Sequence, residues 1–206
     1  MPEQNPLARI EAFSDAIFAI AATLLVLEIK VPEVAVDAPA SELWKDLVNL
    51  WPSYLAFLLS FGSILVMWVN HHRALRLLVR SSNPFLYANG FLLFMITAIP
   101  FPTAVLARYI NTKFAVVATV TYATYSLLTS IAFLLWSISM KRPVYLLRPE
   151  LSKDEIERIE RQTRNGTYIY ALCVLLSWWS PAIGLTFMGA LWLVWIRMSF
   201  GAASEG

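Results

Sequence analysis

Four stretches of the chain carry no Asp, Glu, Lys or Arg: 47–70, 81–107, 114–140 and 165–196. A helix needs about 20 mainly apolar residues to cross the ~30 Å hydrocarbon core of a bilayer, and each of the first three runs is long enough for one span. The fourth run, as one helix, would be about 48 Å long. "SWWSPAIG" lies in its middle, where Pro181 cannot continue a helix cleanly. It therefore reads as two helices joined by a very short turn, with a single kinked helix as the alternative. A β-barrel would need segments of roughly ten residues with alternating polarity, whereas "SYLAFLLSFGSILVMW" is apolar on all sides. Together with the segment from Arg9 to Lys30, the pattern predicts an all-α integral membrane protein of six transmembrane helices. They are expected at about 10–31, 48–71, 83–107, 114–139, 163–180 and 183–200, as a single six-helix transmembrane domain over 1–206.

Composition agrees with this pattern. The 206 residues are 58% hydrophobic and 15% charged, against roughly 45–50% and about 25% in soluble domains. The distribution of Lys and Arg sets the orientation, because cytoplasmic loops carry the excess. With six spans, twelve fall on the side of Arg9, the 73–80 loop, the 141–164 loop and Arg197, and four on the other. Both termini are then cytoplasmic. The 141–164 loop holds Ser152 and Glu155 at capping-box spacing, followed by acid-first i,i+4 pairs, so a solvated cytoplasmic helix is expected at about 152–164. The net charge of +2 gives no reason to expect nucleic acid, and the single cysteine, Cys173, excludes an intrachain disulfide. No nucleophile–base pair, metal-ligand spacing or glycine-rich phosphate loop appears, so neither an enzyme nor a cofactor is expected.

The first helix carries the informative chemistry. Between Asp15 and Glu28 lie twelve uncharged residues, about 18 Å of helix, whereas Arg9 to Lys30 gives about 33 Å. If the segment spans, Asp15 sits within or at the edge of the membrane, where a carboxylate facing lipid costs roughly 2.5 kcal/mol or more and normally turns inward. The alternative is that Ser14 and Asp15 cap a shorter helix. On the same side, "MWVNHHRALR" offers His71 and His72 as donors to Asp15. Ile20, Thr23, Leu24 and Leu27 recur at helical spacing, a stripe that could face lipid, a core or a pore. Ala12, Ala16, Ala19 and Ala22 suggest close helix packing on one side, since small residues mark helix interfaces in lipid.

"RIEAFSD" followed by "AIFAIAATLLVLEIKVP" resembles the Arg-x-x-x-Phe-Ser-Asp first helix of the endolysosomal potassium channels, the transmembrane protein 175 family, which has bacterial members. "WVNHH" and "NGFLLFMITAIPFPTAVL" match further along. The resemblance implies that Ile20 forms the hydrophobic constriction of a pore, that Leu24 and Leu27 line it further along, and that Thr23 bears on potassium preference. Arg9, Ser14 and Asp15 match a polar network packing the first helix against the second and third, with His71 or His72 and Asn89 as partners. Animal members carry two six-helix repeats and form dimers. A chain with one repeat therefore implies a homotetramer, its pore lined by four first helices, in contact with membrane lipid. The function expected is passive, potassium-preferring conduction through a hydrophobic gate, with potassium ions as the permeant species and Glu28 raising cation concentration at the outer mouth. The alternative is a secondary transporter or proton-coupled carrier using Asp15 and a histidine. The first helix has neither Gly nor Pro between residues 9 and 30, which disfavours the broken helices common in transporters.

Overall fold

The computed structural model describes residues 7–141 and 146–201; for Lys153 and residues 192–201 only the backbone is described. Among these residues the fold is helical throughout: α1 (Ala8–Leu24), α2 (Ala40–Asn49), α3 (Trp51–Leu75), α4 (Asn83–Thr97), α5 (Pro100–Tyr109), α6 (Ala115–Lys141), α7 (Lys153–Trp179) and α8 (Pro181–Gly201). Among the described residues, four stretches are long and apolar enough to cross a membrane: Ala8–Glu28, Trp51–Leu75, Asn83–Tyr109 and Ala115–Lys141.

Three boundaries differ from expectation. The third stretch is not one helix. It breaks at Ala98 and Ile99, between α4 and α5, because Pro100 and Pro102 supply no N–H for the helical ladder and crowd the preceding turn. The expected helix at 152–164 and the fifth span are one continuous helix, α7. Its start is the anticipated capping box: Glu155 N–H donates to Ser152 Oγ, and Ser152 N–H donates back to Glu155 Oε2 at 2.9 Å. Nothing then stops the ladder until Ser180, which is extended (φ −152°, ψ 121°), and Pro181 opens α8, where its missing N–H costs nothing. The first helix ends early, tightening into a 3₁₀ turn at Leu25–Glu28.

Packing is built from two adjoining cores. In one, Phe18, Ala21 and Leu25 of the first helix meet Ile64 of α3, Phe85, Leu92, Leu93 and Ile96 of α4, and Trp136 of α6. In the other, Ala56 and Leu59 of α3 and Leu106 of α5 meet Tyr122 and Ala123 of α6, Cys173 of α7 and Leu185 of α8. A polar tie joins these helices too, since Ser60 Oγ lies 2.6 Å from Thr103 Oγ1 and 3.0 Å from the Tyr122 hydroxyl. The loops after α3 and α6 are stitched together by Val79 N–H to the Leu146 carbonyl (2.8 Å) and Arg148 N–H to the Leu77 carbonyl (2.9 Å). Trp44, Trp51, Trp178 and Trp179 are all exposed, as rings seated at a headgroup layer would be.

Candidate functional site

The first helix has two opposed faces. Ser14, Phe18, Ala21 and Leu25, spaced four, three and four apart, are buried against α3, α4 and α6. The opposite face has no cover among the described residues. Ile20 is 55% exposed and Leu27 60%, and Leu24, Thr23, Ala12, Ala16 and Ala19 are exposed with them. These positions follow one another at i+3 and i+4, so they form a single stripe along the helix. The sequence suggested two features, an alanine face for packing and a larger apolar stripe. Ala12, Ala16 and Ala19 in fact flank the larger residues on the uncovered side, while Ala22 is partly buried. The Thr23 hydroxyl donates to the Ile20 carbonyl at 2.9 Å. Its one proton is thus committed and its oxygen still presents lone pairs to the stripe.

A buried polar clamp holds the covered face. Asn89 Nδ2 donates to Ser14 Oγ at 3.1 Å, and Asn89 Oδ1 lies 2.9 Å from His71 Nε2. All three side chains are buried. Because Oδ1 has no proton, His71 must donate from Nε2. The imidazole is sandwiched between rings, with Trp136 stacked at 4.5 Å and Phe18 tilted at 5.3 Å between centroids. Its Nδ1 is buried with no hydrogen-bond partner among the described residues.

Beside it lies a second, partly exposed layer. Trp68 Nε1 donates to Asp15 Oδ1 at 2.9 Å. His72 Nδ1 comes within 3.1 Å of Glu11 Oε1, at ion-pair distance but outside hydrogen-bond geometry, and its ring stacks on Trp68. The two histidines thus divide as adjacent helical positions must, His71 inward to Asn89 and His72 outward to Glu11. Neither takes Asp15, the partner expected for one of them. Arg9 is exposed and stands apart from both layers. Trp68 and Glu11 were not anticipated. Trp68 lies three and four residues before the histidines, hence on their face of α3, and Glu11 lies one turn before Asp15; those spacings were the available signal.

At the far end of the helix, Glu28 is half-buried and Lys30 Nζ donates to the Leu27 carbonyl at 2.7 Å. A cation therefore sits at the same end as the carboxylate expected to attract cations. Among the described residues no group of three His, Cys, Asp or Glu side chains comes together.

Residues 9–100 match the family model described as "Endosomal/lysosomal potassium channel TMEM175". A relative from Chamaesiphon minutus, named as a potassium channel, is 46% identical over 93% of this chain and 95% of its own length. Another, from Streptomyces collinus and likewise named, is 36% identical over 91% of this chain and 90% of its own. A crystal structure described as that of a lysosomal potassium-selective channel TMEM175 homolog from Chamaesiphon minutus superposes with a TM-score of 0.83 at 43% identity, covering 95% of this chain and 99% of the other. With a clamped face, an uncovered apolar stripe and whole-length relatives of this kind, the chain belongs to the TMEM175 family.

Proposed function

We propose that this protein is a passive, potassium-preferring cation channel whose pore is lined by the first helix from four copies of the chain. The observation that carries the reading is the uncovered stripe on α1, opposite a face pinned by buried hydrogen bonds. A helix held on one side and bare on the other is oriented toward something outside its own chain. Lipid alone needs no such orientation, since apolar side chains gain nothing by facing one another rather than acyl tails. A fourfold axis uses both parts of the stripe. Ala12, Ala16 and Ala19 let neighbouring first helices approach closely, and Ile20, Leu24 and Leu27 then project inward as apolar rings.

Rings of that kind pass ions only when wide enough to stay wet, which makes the constriction itself a gate. Thr23, between the Ile20 and Leu24 rings, offers hydroxyl oxygens to a partly dehydrated cation and is the residue proposed to bear on potassium preference. Glu28 raises cation concentration at the outer mouth, moderated by Lys30. Ser14, Asn89 and His71, with Asp15 and Trp68 alongside, fix the helix and do not touch ions. Arg9 is proposed to act in the same structural network, closing it only in the assembled oligomer. The whole chain, 1–206, forms one six-span unit in the bacterial cell membrane with both termini cytoplasmic; α7 beyond its charged first turns and α8 supply the fifth and sixth spans. The relatives named as potassium channels support the choice of ion.

The test is potassium flux from liposomes holding purified protein, with and without a proton gradient. Voltage-driven potassium flux indifferent to the proton gradient is expected, and strict dependence on that gradient would overturn the channel reading in favour of a carrier. Ile20→Asn is expected to raise leak and weaken discrimination among cations. Unchanged currents would remove Ile20 from the pore wall.

A further inference from the structure

Away from the first helix's bare face, a cavity of about 600 Å³ opens between α3, α5, α6 and α7. Its volume falls within the ~300–1,000 Å³ of small-molecule sites. Along α3 its lining runs from Ala74 back to Ser63, eleven residues or about 17 Å of helix. One membrane leaflet has roughly 15 Å of hydrocarbon, half the ~30 Å core, so the cavity is long enough for a whole acyl chain.

The wall is apolar in effect although many hydroxyls line it. Ser63, Ser126, Thr129, Ser137 and Thr163 each donate to a carbonyl of their own helix, at 2.7–3.0 Å. What remains toward the lumen is mostly carbon and ring surface, including Met67, Phe133 and Tyr125, with the amides of Asn70 and Gln162 as polar points. The charged lining residues are cationic: Arg73 near the end of α3 and Arg158 in the first turns of α7. Trp136, which also backs the cavity wall, is fully buried and does not present its Nε1–H to the lumen. It lies beside His71, two residues from Arg73, and so at the cationic end of the cavity.

Two cations at one end of a long apolar slot match one chemistry. We propose that this cavity binds one acyl chain of an anionic membrane lipid, its headgroup between Arg73 and Arg158. The ligand would then lie against Trp136, which stacks on His71 of the clamp, and not in the ion path.

Native mass spectrometry of the full-length, delipidated protein tests this with phosphatidylglycerol, phosphatidylcholine and inorganic phosphate as probes. Retention of one phosphatidylglycerol per chain is expected, with phosphatidylcholine held far more weakly. Each arginine near an anionic lipid surface contributes about a fivefold factor, so Arg158→Gln should weaken retention roughly fivefold and Arg73→Gln/Arg158→Gln roughly thirtyfold. Ser126→Phe, which fills the slot, should abolish retention while the protein still elutes as a single species; should that variant not fold, Arg158→Gln decides. Equal retention of both lipids, or retention indifferent to the substitutions, would show lipid bound at the outer surface only and overturn the proposal. Displacement of the lipid by millimolar inorganic phosphate would also overturn it, revealing a plain anion site.

Discussion

The hydrogen bond from Asn89 to Ser14 joins residues 75 apart in sequence and ties α4 to α1 inside the protein. Removing the Ser14 hydroxyl leaves one buried amide hydrogen without an acceptor. At about 1–3 kcal/mol per orphaned buried group, Ser14→Ala should cost that much. Asn89→Ala strands two groups, the Ser14 hydroxyl and His71 Nε2–H, and should cost about twice as much. Neither figure isolates the bond, because each single variant also changes packing. The coupling between them does. Interhelical hydrogen bonds within membranes show coupling energies averaging about 0.6 kcal/mol and reaching about 1.7. A full burial of all three side chains places this pair in the upper part of that range, at about 1–1.7 kcal/mol.

The assay is equilibrium unfolding in mixed micelles of the wild type, Ser14→Ala, Asn89→Ala and the double variant, followed by tryptophan fluorescence. A control comes from Ser126→Ala, whose hydroxyl donates to the Tyr122 carbonyl of its own helix and which should shift stability little. If the double variant loses the sum of the single losses to within about 0.3–0.5 kcal/mol, the usual limit of independence, the two residues do not act as one clamp. The account of how α1 is held would then fail.

Three other perturbations follow from the geometry. Asp15→Ala should mainly lower the yield of assembled protein, and Trp68→Phe, which removes the indole donor 2.9 Å from Asp15 Oδ1, should reproduce part of that loss, about 1 kcal/mol or less for an exposed bond; size-exclusion chromatography reads both, and a normal profile for Asp15→Ala would count against a structural role. A methyl group at position 184 would lie 2.8 Å from the Ser177 Cα, whereas one at position 90 meets nothing within 4 Å; Gly184→Ala should therefore cost about 1–3 kcal/mol by overpacking and Gly90→Ala should raise stability by about 0.5–1 kcal/mol, measured as melting temperatures of opposite shift. The Ser152 backbone N–H and hydroxyl hold the Glu155 carboxyl below its ordinary range; a depressed carboxyl stabilises the fold above its unfolded value of about 4.3 and loses that as pH falls through the lower folded value. Hydrogen exchange at the start of α7 should accordingly speed up below about pH 4, beyond the intrinsic trend, and Glu155→Gln should remove that dependence.

Charge-free runs made three of the four long apolar stretches legible, because a bilayer penalises charge regardless of what packs inside; Ala8–Glu28, with charges at its ends, showed only by its length. The same criterion was blind to the break at Ala98 and Ile99. "TAIPFPT" changes no charge, and only its two prolines carry the signal. It also split α7, whose composition turns from charged to apolar near Asn165 although the backbone ladder continues unbroken. Main-chain hydrogen bonds do not register polarity, and the capping box at Ser152 and the proline at 181 were the true ends. For the site, the residue types were visible but their pairing was not. "WVNHH" offered Asp15 two histidines and a tryptophan, and the tryptophan took it, because His71 turns in to Asn89 of α4 and His72 out to Glu11, which leaves Trp68 over Asp15.

The chief ambiguity left by the sequence was which side of α1 mattered, and the resolution lies in what lipid does not do. In water the stripe of Ile20, Leu24 and Leu27 would be buried first, being the more apolar face. Between acyl tails, burying it gains little, so the helix is oriented by whichever face can make bonds that lipid cannot replace. Ser14 supplies that face, and six residues later, 600° around the helix and so about 240° from Ser14, stands Ile20. A slip of one residue would rotate the helix by about 100° and present Ala19 or Ala21 where Ile20 had been. The diameter of an apolar ring would change by the difference between an isoleucine and an alanine side chain on every copy. The buried Ser14–Asn89–His71 chain therefore acts at a distance on the width of the proposed constriction, by setting which side chain of the first helix reaches the axis.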